Sequence, residues 1–280
     1  MTFLRAVFLF IGLACLVQGK VVGVFKDCDH FFVGKKPPTF NNQLIPDTQR
    51  QNDFRLICQT QKSNPTTAGD FEYATLYDII NRIPVYSAYR YYTRPPGAVI
   101  TRDTAWKIEP QVDDRGSQVQ QMIQQRHSKI PLAFRGRYQA LNKDYAHSSY
   151  DKGHLYPVNH AHNQDAADGT FTLTNAAPQN CDFNKKWYNM VEHFVSNKLD
   201  AKRKNSAAYI VTGVLPSQAK FITDVNGVNR VNVPSLFWTA FCCENVFSLS
   251  CIMKEKDDEP LCGPLSNLDN LNIKPFGGYC

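Results

Sequence analysis

At 280 residues, 43% of them hydrophobic and 20% charged, the chain suits one large domain or one domain with extensions, and it holds no internal repeat or low-complexity tract. Its 31 Lys and Arg against 25 Asp and Glu leave a net charge of +6, a mild excess that is compatible with a polyanionic partner and does not by itself point to one. A single apolar run is long enough to weigh as a membrane segment, and it falls short of a span, which excludes a multi-span membrane protein.

That run opens the chain. Residues 1–19, MTFLRAVFLFIGLACLVQG, read as a secretory signal peptide. Arg5 supplies a positive start, Ala6 to Val17 an apolar core, and Val17-Gln18-Gly19 a small-residue cleavage site. The core is about 12 residues against the roughly 20 that cross a bilayer, so no membrane anchor is expected once the leader is removed. The expected product is secreted and extracellular. Cysteine usage agrees. Cys15 lies in the leader, and Cys28, Cys58, Cys181, Cys242, Cys243, Cys251, Cys262 and Cys280 form the even set expected of disulfides in an oxidising compartment. The possible pairings are too many to assign one. Cys242 and Cys243, adjacent on an expected strand, point to opposite faces and should have different partners. No C-x-x-C or H-x-x-x-H pair stands at zinc-ligand spacing. Asn64-Pro65-Thr66 has a sequon's spacing, but its proline disqualifies it as a glycan acceptor.

Residues 20–70 read as an irregular, cysteine-containing N-terminal extension, broken by Pro37-Pro38, Pro46 and Asn64-Pro65 and packed on a domain spanning 71–280. Residues 71–82 suit a short strand or helix. PVYSAYRYY alternates and is aromatic, which predicts a strand. PPGA is a turn, and 101–114 a loop anchored by Trp106. SQVQQMIQQRH is polar and helix-compatible. Residues 146–158 predict a strand leading into a turn, and TFTLTN a small strand ended by Pro178. NKKWYNMVEHFVSNKLDAKRK is the best helix in the chain, with Trp187, Met190, Val191, Phe194, Val195 and Leu199 at helical spacing. Asp182 or Asn184 can cap its start. The basic residues at its end, including Lys198, Lys202 and Arg203, suit the dipole and read as a solvated helix end. AAYIVTGVL and VPSLFWTAFCC predict buried strands. Strands outnumber helices without regular alternation, which predicts an α+β fold with a mainly antiparallel sheet flanked by helices.

The chemistry concentrates between 148 and 192. SSYDKGHLYPVNH places an acid, a base, a glycine and a histidine together at a strand's end. Phosphodiester hydrolysis needs a base to take a proton from water and a cation to neutralise the phosphate, on opposite sides of the phosphorus. Histidine is a natural base near neutral pH. A hard divalent ion favours oxygen ligands and keeps most of its waters, so an asparagine carbonyl can serve as a single protein ligand. Asn184 and Glu192, eight residues apart on one helix, differ by about 12 Å of rise and ~80° of rotation, which argues against direct binding of one ion by both. The plain readings stand beside these: a turn histidine for His154, a helix cap for Asn184, a solvated helix residue for Glu192, a turn lysine for Lys152. His160 and His162 read as surface residues.

DKGHLYP resembles the D-R-G-H motif of the DNA/RNA non-specific endonucleases, the ββα-metal or His-Me finger nucleases. In NAAPQNCDFNKKWYNMVE, Asn175, Pro178, Gln179, Asn184, Trp187 and Glu192 match that family's second motif in spacing. DCDHFFVGKKPPTF and LYDIINRIPVYSAYRY further resemble a secreted vertebrate branch, the endonuclease domain-containing 1 proteins. The resemblance covers nearly the whole chain after the leader and implies a ββα-metal active-site motif. It implies His154 as general base, Asn184 as ligand of a magnesium ion and Glu192 as holder of a metal-bound water. Asn175 would support the site and orient substrate or base. Manganese or calcium could replace magnesium. Lys152 stands where the family usually has arginine, trading a two-donor fork for a point charge. A phosphate-holding arginine upstream is implied, with Arg90, Arg94 and Arg102 as candidates. DNA, RNA or both are the implied substrate, cut with low sequence specificity to 5′-phosphate products. A catalytically weak nuclease-fold protein that acts as an extracellular binding protein is the rival, and a structural protein held by disulfides another. The oligomeric state is not legible.

Overall fold

The computed structural model describes residues 21–103, 105–203 and 206–280, and the leader-like stretch lies outside them. The strands β1 (Val21–Val22), β2 (Phe54–Gln59), β3 (Tyr73–Asp78) and β4 (Ile83–Tyr91) precede a two-stranded ribbon, β5 (Tyr150–His154) and β6 (Ala176–Asn180). The chain then forms β7 (Ala208–Leu215), β8 (Leu236–Cys243), β9 (Phe247–Met253) and β10 (Leu261–Gly263). Eight of these make one antiparallel sheet in the order β1-β2-β3-β4-β7-β8-β9-β10. The fold is the expected α+β arrangement. No helix among the described residues is long and apolar enough to cross a membrane.

Both faces of the sheet are buried, and strand alternation divides them. Tyr73, Tyr89, Phe237, Phe241 and Cys243 point to the face that carries the ribbon and the long helix. Leu76, Tyr86, Trp238, Ala240 and Cys242 point to the other, where Phe25, Phe31, Phe40 and the C-terminal Leu268, Ile273 and Phe276 cover them. Disulfides staple this second layer. Cys28–Cys58 ties the covering segment to β2 and Cys242–Cys280 ties the C terminus to β8, while Cys251–Cys262 joins β9 to β10. The expectation of a fully paired set is corrected, since Cys181 and Cys243 are free. Cys242 and Cys243 do face opposite ways, but only Cys242 has a partner.

Four local expectations change. The stretch 20–70 is not wholly irregular, because FRLICQ forms β2 deep in the sheet. With both sheet faces covered, its pattern lacks the polar alternation that marks a half-exposed strand. SQVQQMIQQRH is not a helix; it offers no apolar stripe to pack, and forms only Ile123–Gln124 and a turn at Gln125–His127. TFTLTN is not a strand. Leu173–Asn175 is a 3-10 turn and the strand is β6, which runs through Pro178. Proline is tolerated because β6 belongs to an isolated pair, opposite Lys152, where its missing N–H interrupts no central ladder. Finally, the helix start is capped by neither Asp182 nor Asn184 but by Asn180, whose side chain accepts from the Asp182 N–H at 2.9 Å.

Candidate active site

The ribbon β5–β6 runs directly into the helix α1 (Cys181–Trp187), giving strand, strand and helix around one cleft. Register sets Asp151 opposite Gln179, Gly153 opposite Ala177 and His154 opposite Ala176. Gly153 is required by packing. A Cβ there would come within 2.2 Å of the Gln179 side chain, which is itself buried. Its absence lets β5 lie against β6 and carry Lys152 and His154 to the cleft.

The cleft has a volume of about 520 Å³ and brings together Arg102, Asp151, Lys152, His154, Asn184 and Glu192. Its walls form a ladder of rings and cations. The His154 ring sits between Trp106, 4.8 Å away, and Phe171, 4.9 Å away and edge-on. The Arg102 guanidinium lies over Phe171, and the Lys152 ammonium over Trp106 and Tyr145. Burial first, then the positive charge of Arg102, pushes the His154 pKa down to about 3, so the ring is neutral near pH 7. Its Nε2 is buried without a partner. Burial also lowers Lys152 from the usual lysine range, with Asp151 opposing.

Asn184 lies in the first turns of α1 and not at its cap, so its side chain is free for the cleft. Its Nδ2 donates to Asp151 Oδ2 at 3.1 Å. That bond fixes the amide nitrogen on Asp151 and leaves the carbonyl oxygen for a ligand. Oxygen donors from Asn184, Asp151 and Glu192 suit a hard divalent cation. No group of three or more His, Cys, Asp or Glu converges as a metal cluster among the described residues.

Glu192 reaches the same cleft through an irregularity. Between α1 and α2 (His193–Lys202) the residues Tyr188–Glu192 form a π-helical turn. That turn absorbs one extra residue, so eight residues rotate as seven would in an α-helix. The ~80° offset of an ideal helix shrinks to roughly 20°. Glu192 is nearly buried, and burial raises its pKa to about 8 while Arg102 pulls it down. Its carbonyl oxygen lies 2.9 Å from His160 Nε2, and His160 Nδ1 lies 2.8 Å from the Tyr89 hydroxyl. His160 is therefore a buried strut beneath Glu192 and not a surface residue.

Asn175 is also buried, and it does not line the cleft. Its Oδ1 accepts from Ser87 Oγ and from the Tyr156 N–H, each at 2.9 Å, and its Nδ2 donates to the carbonyls of Tyr156 and Thr170. It pins the chain just after His154. Of the three upstream arginines, Arg102 alone lines the cleft. Arg94 donates to the carbonyls of Val158 and Ala161, and Arg90 stacks on Tyr92 and Tyr209.

Residues 59–272 match the family model for DNA/RNA non-specific endonucleases. The chain belongs to that family. It is 35% identical over 237 residues to the human endonuclease domain-containing 1 protein, a match that covers 83% of this chain and 42% of that one. A mitochondrial nuclease of Saccharomyces cerevisiae is 30% identical over 210 residues, covering 71% of this chain and 59% of its own. The chain thus spans about two-fifths of the length of the human relative. The fold is similar to that in a crystal structure of the EndoG/EndoGI complex, with a TM-score of 0.51 and 22% identity over 71% of this chain and 80% of the other. The ribbon and helix around His154 are the family's ββα-metal motif, and the family's chemistry depends on a divalent metal.

Asp151, Trp106, Phe171 and His160 have parts that sequence reasoning missed. Asp151 was visible in the motif, but its bond to Asn184 depends on the pairing of β5 against α1. Trp106 was legible as an anchor and not as a wall of the histidine.

Proposed function

We propose that this chain is a secreted, metal-dependent endonuclease that hydrolyses DNA, RNA or both with low sequence specificity. The observation that carries the reading is His154, held neutral between Trp106 and Phe171 in the same cleft as the Asn184 carbonyl. A neutral imidazole takes a proton from water as its oxygen bonds to phosphorus. The bond from phosphorus to the 3′ oxygen breaks, that oxygen takes a proton from solvent water, and the products are a 5′-phosphate and a 3′-hydroxyl. Mg²⁺ held at Asn184, with Mn²⁺ or Ca²⁺ as substitutes, would supply positive charge beside the phosphate and the departing oxygen. Asp151 keeps the Asn184 amide turned the right way, and Lys152 and Arg102 add charge on either side of the histidine. Glu192, brought round by the π turn, accepts hydrogen bonds from water in the cleft. Contacts to phosphate and sugar carry little sequence information, hence the low specificity. Secretion is supported by the leader-like start and by three disulfides.

The test is digestion of plasmid and RNA by the protein after leader removal, with Mg²⁺, with chelator, and with His154→Ala and Asn184→Ala. Cleavage should vanish with chelator and fall by about 10²–10⁴-fold in His154→Ala. A folded wild type that cuts nothing across several ions and pH values would overturn the reading. The rival, an extracellular binding protein on a nuclease scaffold with Lys152 as its disabling change, would then lead.

A further inference from the structure

The stretch from Arg115 to Lys143 holds six Lys or Arg and no Asp or Glu, in a chain that is otherwise nearly balanced. None of these residues lines the cleft that holds His154. Its centre forms a depression of about 540 Å³ lined by Arg82, Arg135, Arg137, Lys143 and Arg230, with Phe134 beside them and Asp224 as the lone acid. Lys143 and Asp224 also line a second hollow of about 560 Å³, together with Ser149 and Tyr150. Tyr150 in turn lines the cleft that holds His154. Depression, hollow and cleft therefore adjoin in series through shared lining residues.

The backbone of the depression is fixed from within. Asp113 accepts from the N–H groups of Gly136 at 2.7 Å and Tyr138 at 2.8 Å. Arg82 donates to the carbonyls of Arg137 and Arg230, each at 3.0 Å, and Arg230 donates to Asp144 and to the Gly136 carbonyl. Gly136 has a φ of +77°, and a Cβ there would come within 2.5 Å of Leu141. Arg135 is likewise spent on the carbonyls of Ser128 and Ile130. Three guanidiniums thus hold the loop. Arg137 and Lys143 are left exposed, with no carboxylate partner among the described residues. Phe134 stands 48% exposed.

Outward cations and an exposed ring on a fixed backbone are the chemistry that holds a single strand, phosphates on the cations and a base on the ring. Pre-set geometry reduces the ordering that binding requires. Leu132, 81% exposed nearby, would also suit an anionic lipid surface. Concavity and charge favour the polynucleotide, since a flexible strand can settle into a basic depression beside the cleft and a flat bilayer cannot. We propose that this depression binds the part of a single polynucleotide strand that extends beyond the bond to be cut, with Arg137 and Lys143 on phosphates and Phe134 under a base. The inference rests on the nuclease reading of the cleft.

The test is equilibrium binding of a labelled single strand of about 25 nucleotides in chelator, from about 50 to 200 mM salt, beside metal-dependent cleavage by the wild type. The double variant Arg137→Ala, Lys143→Ala should bind about tenfold more weakly and lower the slope of log K against log salt by about 1.4. Phe134→Ala should weaken binding about tenfold and leave the slope alone. Unchanged affinity and slope in both variants, with cleavage intact in the wild type, would sink the proposal and spare the nuclease reading. The predicted changes with no cleavage by the wild type would do the reverse. Loss of binding to anionic vesicles, with polynucleotide binding untouched, would overturn the proposal in favour of a lipid surface.

Discussion

Both faces of the sheet bury apolar side chains, and one of them adds a network of buried side-chain hydrogen bonds. The stapled face packs Phe25, Phe31, Phe40, Trp238 and Phe276 in an apolar layer fastened by Cys28–Cys58 and Cys242–Cys280. The same strands present Thr75, Ser87, Thr212 and Thr239 to the other face, all buried. There Thr75 bonds Ser87, Ser87 bonds Asn175, and Thr212 bonds Thr239. Apolar burial is strong but non-directional, whereas a satisfied buried hydrogen bond specifies one position. The difference teaches that apolar burial supplies stability on both faces while the hydrogen-bonded network on one supplies placement, so the stapled layer and the site should come apart under mutation.

The sharpest break is between His154→Ala and the Cys28–Cys58 disulfide. His154→Ala should lose about 10²–10⁴-fold in kcat/KM, equivalent to roughly 3–5 kcal/mol of transition-state stabilisation, with little change in unfolding midpoint. The double variant Cys28→Ser, Cys58→Ser should cost about 2–5 kcal/mol of stability in urea unfolding while the folded fraction keeps its kcat. A disulfide variant that is folded yet inactive would show that the faces are not separable. Asn175→Ala tests the middle of the molecule. It strands four buried partners, so a destabilisation of about 2–4 kcal/mol is expected, together with a fall in kcat that outlasts correction for the unfolded fraction. Loss of stability alone would reduce Asn175 to a packing residue.

His154, Lys152, Asn184 and Glu192 line one cleft. The resemblance of two motifs to a known family singles them out together, whereas spacing alone sets Asn184 and Glu192 apart on an ideal helix. What could not be read depends on contacts between distant segments. The strut from Tyr89 through His160 to Glu192 joins three elements, and nothing local distinguishes His160 from a surface histidine. The π turn shifts the phase of Glu192, yet the residues Tyr188–Glu192 carry no breaker to announce it. β6 was missed because Pro178 reads as a stop, and only the isolation of the ribbon removes the objection. Arg102 could not be chosen over Arg90 and Arg94 until the loop that carries it was placed against Phe171. Cys181 and Cys243 were counted as paired because parity is the one disulfide signal a sequence offers. On the large sheet the strands of AAYIVTGVL and VPSLFWTAFCC were plain, since long apolar runs need no partner to identify them.

The smallest effect separates the buried acid of the site face from its buried bases. In chelator, Glu192 has a folded pKa of about 8, above its ordinary value, so the folded protein takes up its proton first as pH falls. Stability should therefore rise on going from about pH 8 to 6.5, by at most ~1.4 kcal/mol per pH unit. His154 and His160 have folded values of about 3 and about 4, below the ordinary 6.5. Their contribution is present above about 6.5 and lost as pH falls toward those values, because the unfolded chain binds the protons first. Below about pH 6.5 these two histidines outweigh Glu192, and His30 and His162, also lowered by burial, act in the same direction, so the rise should give way to a decline. Glu192→Gln should abolish the rise and keep the decline, and Glu72, raised to about 6 by burial, is common to both proteins and cancels in the comparison. Unfolding free energies measured across this range decide it. An equal rise in wild type and Glu192→Gln would mean that Glu192 is already ionised in the folded protein, and that the site face accommodates a buried charge before any cation arrives.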